Sequence, residues 1–168
     1  ISLFTREKNS KIRMKATCCY ATYLPTERGS TAHNMSALDS STSWLAQADA
    51  DLEAARASAD QDRHALACFL CHESAVKAVK GYLYKQGAEM VWGEHLSDLC
   101  EDAMAFDPSF DFVKSVAALL DKHLLAARNP DAIGGAIPDD IYDSTDSFHA
   151  LEIAEEVVES VRQKLLDK

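Results

Sequence analysis

The residues best equipped for chemistry in this chain gather in one short run, Cys68-Phe69-Leu70-Cys71-His72. The run satisfies C-x-x-C-H, in which two thiols add to the vinyl groups of a haem and the histidine ligates its iron. The same trio could begin a zinc site if Cys100 or His95 supplied a fourth ligand. Positions i, i+3 and i+4 also fall on one face of an α-helix. A buried stripe therefore generates the same arrangement from two small apolar thiols and a neighbouring imidazole. Covalent haem further requires an export route, and the opening ISLFTREKNSKIRMK lacks the apolar core of a secretory signal. The core reading is preferred, and neither a metal nor a cofactor is expected.

Nucleophilic catalysis finds less support. The six histidines, His33, His64, His72, His95, His123 and His149, are scattered, and no nucleophile elbow, P-loop or H-E-x-x-H accompanies them. Gly134-Gly135 could offer backbone N–H groups to a phosphate, but two glycines are weak evidence and a plain turn is the preferred reading.

The cysteine run belongs to a longer one, Arg63 to Gln86, closed by Gly87. Ala67, Cys68, Cys71, Ala75, Ala78, Val79 and Tyr82 recur at helical spacing, and Leu66, Phe69 and Leu70 widen the apolar face in the first half. A helix this apolar must be covered on more than one side, which makes it the centre of a bundle. Before it, a helix capped by Ser41, Thr42 or Ser43 places Trp44, Leu45, Ala48, Leu52, Ala55 and Ala59 on one face and ends near Ala59. The short Asp60-Gln61-Asp62 link favours antiparallel packing of the two. After Gly87, Val91 and Trp92 are expected to anchor a loop over the bundle end. A short third helix carries Leu96, Leu99, Cys100, Ala103 and Phe106 and stops at Pro108.

A fourth helix runs from near Phe110 to about Arg128, with Val113, Val116, Leu119, Leu120 and Leu124 on one side, and Asn129-Pro130 forces its exit. A loop through Gly134, Gly135 and Pro138 follows. The last helix, Thr145 to Leu166, turns Phe148, Leu151, Ile153 or Ala154, Val158, Val161 and Leu165 inward. No strand and no repeat of solenoid period is indicated. The fold class is all-α, an antiparallel up-and-down bundle of four long helices and one short one.

Composition divides the chain at residue 38. The segment 1–38 holds six Lys or Arg against two Glu, a net +4, which leaves −14 for the rest of a chain whose formal charge is −10. With Pro25, Gly29, Ser30 and Asn34 punctuating it, the segment reads as a loop, a disordered arm or a non-native extension, with Met35 a possible native start. Residues 39–168 form the helical domain. Its acidity argues against a protein that coats nucleic acid. No apolar run approaches the roughly 20 residues that span a bilayer, and five cysteines without a regular framework suit a reducing compartment, so a cytoplasmic setting is expected.

Several stretches in order, WLAQADADLEAA, CFLCHESAVKAVKGYLY, GEHLSDL, AARNPDA, a Gly-Gly-x-x-Pro and HALEIAEEVVESVRQKL, resemble the HEPN domain family between about Ser43 and Leu165. They most resemble the branch that includes the C-terminal domain of sacsin and small prokaryotic stand-alone members. The resemblance implies a helical bundle that commonly dimerises, with a polar cleft near the dimer seam. It also implies one of two functional types. Metal-independent ribonucleases of the family carry an Arg followed four to six residues later by His. Other members lack the pair and are associated with nucleotide binding, or with nucleotidyltransferase or chaperone partners. Arg128 occupies the family's Arg position, but no His follows before His149, and Asn129 stands where relatives usually have an aromatic residue. The missing His removes the group expected to activate a ribose 2′-hydroxyl or protonate a leaving group.

The sequence therefore points to a non-catalytic module that binds ATP or GTP and dimerises or docks a partner. A ribonuclease or toxin-type enzyme and a purely structural dimerisation module remain the alternatives. Lys77, Lys80 and Lys85 on the central helix, with Arg128 after the fourth, could offset triphosphate charge if they met at one cleft, Arg128 by a forked contact. His95 could reach a ligand or serve the end of the third helix, and Asp131 could orient Arg128. Surface pairing of these cations with Glu73, Glu89 or Asp131 is the plainer alternative.

Overall fold

The computed structural model describes residues 37–166, and the expectations for the basic segment before them, with Cys18, Cys19 and Met35, lie outside that range. Among the described residues every regular element is helical and there is no strand. Helix α1 (Ala37–Ala59) starts two residues inside the segment read as an arm, and α2 (His64–Lys85) follows after a tight turn in which Asp62 takes a positive φ of 57°. Next come α3 (Leu96–Met104), α4 (Phe110–Asp121), α5 (His123–Ala126), a 3-10 turn (Pro130–Ile133), α6 (Pro138–Ile141) and α7 (Ser144–Leu166).

Small side chains make α2 the central helix. Ala65, Ala67, Cys68, Cys71, Ser74, Ala75, Ala78 and Gly81 are buried along it, so neighbouring backbones can approach closely on several sides. At Gly81 an added Cβ would lie 3.2 Å from the Ser41 carbonyl oxygen and 3.4 Å from the Trp44 Cβ. Ser74 donates its hydroxyl to the Ala48 carbonyl at 2.7 Å inside the same seam. The larger core side chains come mainly from the surrounding helices: Leu96 and Leu99 from α3, Phe110, Val113 and Leu120 from α4, and Val157, Val158 and Val161 from α7.

Pairings between named residues fix the chain directions. Ser41 lies by Gly81 and Ala48 by Ser74, so α1 and α2 are antiparallel, as their short link requires. Arg56 pairs with Glu155 at 2.9 Å and Arg162 with Asp49 at 2.5 Å, so α1 and α7 are antiparallel as well. His64 meets Ser147, and Lys85 donates to the Leu165 carbonyl, so α2 and α7 run in the same direction. Segment 86–95 carries the chain back along α2, which sets α3 parallel to α2 and antiparallel to α4 through Lys114–Glu101 and Leu96–Asp121.

Several details differ from the periodicity. The fourth helix, expected as one piece to Arg128, is divided into α4 and α5 between Asp121 and His123. The segment after it is ordered by the 3-10 turn and α6. Val91 packs on the core as expected, whereas Trp92 beside it is 61% exposed. Phe148 and Leu119, assigned to inward faces, point outward, because Ala150, Ala154 and Val157 already fill the α7 seam and Leu120 and Ala117 that of α4.

Candidate functional site

The cysteine run is core. Cys68 and Cys71 are fully buried, and burial pushes the Cys68 thiol up to about 12 and raises Cys71 as well, so neither offers a thiolate at neutral pH. Cys100 is likewise buried, its thiol pushed up to about 12 by desolvation. Among the described residues no group of three or more His, Cys, Asp or Glu stands close enough to hold a metal ion. The haem and zinc options raised by the spacing thus have no geometry to rest on.

His72 instead belongs to a polar hub that joins three helices. Its ring is fully buried, and Nε2 donates to Asp121 Oδ1 at 3.1 Å. The same carboxylate accepts from Leu96 N at 2.6 Å, Ser97 N at 3.0 Å and Ser97 Oγ at 2.6 Å. The first amides of α3 are therefore capped from α4, by a residue 25 positions downstream. Burial opposes the charge on Asp121, but the Ser97 hydroxyl, the two amides and His72 hold it below the usual carboxylate range. Burial also lowers His72, against the pull of Asp121, and keeps its imidazole neutral. The Nδ1 atom has no hydrogen-bond partner and lies 3.9 Å from Glu73 Oε1.

A second buried histidine, His123, bonds through Nδ1 to the Tyr142 hydroxyl at 3.0 Å and tethers the segment before α7 to α5. Desolvation and Lys122 bring it down to about 4, and burial pushes Tyr142 up to about 12. His72 was placed beside the buried stripe by its spacing from Cys68 and Cys71, whereas nothing in the sequence distinguished His123 from a surface residue.

The candidate binding residues occupy three levels along α2. Arg128 is exposed, stacks its guanidinium 4.7 Å from the centre of the Phe69 ring, and has no carboxylate partner among the described residues. His95 immediately precedes α3 with no side-chain cap bond, at the level of His72 because Asp121 ties Leu96 to that ring. Lys80 lies 5.6 Å from the Trp44 ring, which itself stacks on Tyr84 at 5.8 Å, and burial lowers its ammonium against the attraction of Glu94 and Glu73. Phe69, Glu73, Val76 and Lys80 share one stripe of α2, with Phe69 and Lys80 roughly 16 Å apart at 1.5 Å per residue.

Lys77 and Asp131 stand differently. Lys77 is held by Asp51 at 2.5 Å and Glu73 at 2.8 Å; burial works against its charge, but these bonds outweigh it and keep the ammonium above its usual range. Lys85 is engaged at the Leu165 carbonyl. Asp131 is exposed in the 3-10 turn, its amide capped by Asn129 Oδ1 at 3.0 Å, which gives Asn129 a local role in the turn. Asp131 makes no hydrogen bond or ion pair to Arg128 among the described residues.

Two surface grooves lie away from this stripe, between α1 and α7. One is lined by Asp49, Glu53, Glu155 and Glu159 around Arg56 and Arg162, an excess of carboxylates that disfavours phosphate. The other is a more apolar shelf at Phe148 and Leu151. No helix of the described residues is long and apolar enough to cross a membrane.

No curated protein matches the chain. Among solved structures it is similar to TT1696 from Thermus thermophilus, with 28% identity and a TM-score of 0.66, covering 74% of this chain and 97% of that one. It is also similar to ST0689, an archaeal HEPN homologue, with 31% identity and a TM-score of 0.62, covering 74% of this chain and 96% of that one. The HEPN domain model matches residues 41–164, from the first turn of α1 whose side chains are described to the last turn of α7. The chain belongs to the HEPN domain family.

Proposed function

We propose that this HEPN domain acts without catalysis, binding ATP or GTP along the α2 stripe and associating as a homodimer. The supporting observation is the placement of Arg128, His95 and Lys80. Arg128 lies over Phe69 at one end of the stripe, Lys80 belongs to the same stripe eleven residues on, His95 stands before α3 at an intermediate level, and Arg128 is uncommitted to any carboxylate among the described residues. A guanidinium placed over an aromatic ring and paired with no carboxylate keeps N–H donors free for a phosphate fork. Spacing of roughly 16 Å between the Phe69 and Lys80 levels is about the length of an extended nucleoside triphosphate. Asp131 would orient Arg128 once a ligand is present, and Lys77 would contribute only after exchanging Asp51 for phosphate.

The absence of a His between Arg128 and His149 supports the non-catalytic reading over ribonuclease chemistry. A place in the sacsin-like branch, and docking to a chaperone or nucleotidyltransferase, would accord with the same surface. Calorimetric titration of ATP and GTP into the full chain, beside Arg128→Ala, tests the proposal. Micromolar binding to the parent and its loss in the variant are expected; no heat with either nucleotide from folded protein would overturn the nucleotide reading.

A further inference from the structure

Helix α4 buries one side and leaves the other without a partner. Phe110, Val113, Ala117 and Leu120 are in the core, whereas Asp111, Phe112, Ser115, Ala118, Leu119 and Lys122 lie outside it, Phe112 exposed by 57% and Leu119 by 51%. At 100° per residue these six fall within one face about 120° wide. Its pattern has a direction: an acid at the N-terminal end, a base at the C-terminal end, small residues in the middle, and one bulky apolar residue toward each end.

We propose that a second copy of this chain packs antiparallel on this face, with Phe112 beside the partner's Leu119 and Asp111 opposite the partner's Lys122. The face is complementary to itself in that sense alone. Two-fold pairing about Ser115 and Ala118 brings each acid to a base, whereas parallel pairing sets like charges together. Small side chains at the crossing let the helix axes come close. The Ser115 hydroxyl already donates to the Phe112 carbonyl at 2.6 Å, so closing the seam strands no donor there. Neither Asp111 nor Lys122 has an ion-pair partner among the described residues, and two intermolecular pairs would offset part of the repulsion between chains of formal charge −10.

This inference rests on the dimerisation half of the proposed function and gives it a surface. Sedimentation of the full chain across a concentration series, with Asp111→Lys, Lys122→Asp, the double reversal and Leu119→Arg, tests both. The wild type is expected to dimerise. Each single reversal should weaken the dimer by about tenfold or more, and the double reversal should return it to near the wild-type constant. Both charged positions lie outside the core, and circular dichroism verifies that the variants fold. A dimer unchanged in all four variants would overturn this surface while leaving dimerisation intact. A wild type monomeric at every concentration would overturn dimerisation and the surface together.

Discussion

Asp121 and His72 meet at 3.1 Å in the interior, and because the same carboxylate caps the first amides of α3, one ionised group joins α2, α3 and α4. Truncation of Asp121 would strand a buried imidazole N–H and two helix-end amides at once. Asp121→Ala is expected to cost about 2–4 kcal/mol in urea unfolding, the range for losing charge-assisted bonds that leave buried donors unpaired. A cost below about 1 kcal/mol would mean water replaces the carboxylate freely.

Acid should unfold this domain in two overlapping stages. His72 and His123 are lowered in the folded state, His123 to about 4, so below the free histidine value near 6.5 the unfolded chain takes up protons that the fold refuses. Stability therefore falls as pH drops from about 6.5 toward 4, by up to about 1.4 kcal/mol per pH unit for each histidine. Asp121 is lowered too, and its contribution is present above the free carboxylate value and lost as pH falls below about 4. Replacing His123 by Gln should flatten the upper stage; an unaltered pH–stability curve in that variant would rule out His123 as its source.

Gly81 sets how close α1 approaches α2. A Cβ there would press on the Ser41 carbonyl, a backbone atom that yields only if α1 shifts. Gly81→Val should therefore destabilise the fold by about 1–3 kcal/mol, as overpacking does. A neutral or stabilising result in thermal unfolding would show that the seam has slack.

Stability measurements can separate structural cations from available ones. Lys77→Met leaves Asp51 and Glu73 without their shared partner and is expected to cost about 1–2 kcal/mol. Arg128→Ala removes an exposed stacking contact and should cost less than about 1 kcal/mol. If Arg128→Ala proved the more disruptive of the two, Arg128 would be a structural residue and its candidacy for phosphate would lapse.

Thiol accessibility offers a direct check on the C-x-x-C-H run. With Cys68, Cys71 and Cys100 buried and their thiols raised by desolvation, alkylation at neutral pH should reach these three only through opening of the fold. Peptide mapping after iodoacetamide treatment, with and without denaturant, reads this out. Rapid labelling of native Cys71 would contradict its place in the core.

The stripe of small residues in α2 and the punctuation at Ala59, Pro108 and Pro130 were legible because they depend on local period and backbone chemistry. Partners distant in sequence were not. Nothing near Leu96 announces that its amide is capped by Asp121, and nothing at Lys122 marks the division between α4 and α5, since its backbone remains right-handed helical. Trp92 misled through its size: an apolar ring is a reasonable anchor until Val91 beside it takes the available space. For the candidate site, cationic residues could be named in advance. That Lys77 is neutralised while Arg128 is not depends on which carboxylates α1 brings to α2.

The parallel course of α2 and α7 has an electrical consequence. Their peptide dipoles add rather than cancel, concentrating partial negative charge where both helices finish. Lys85, from the last turn of α2, reaches the Leu165 carbonyl, and Lys164, from the last turn of α7, reaches Asp107 and lies over the Phe110 ring. The Lys85 ammonium thus acts as counter-charge to two helix ends at once.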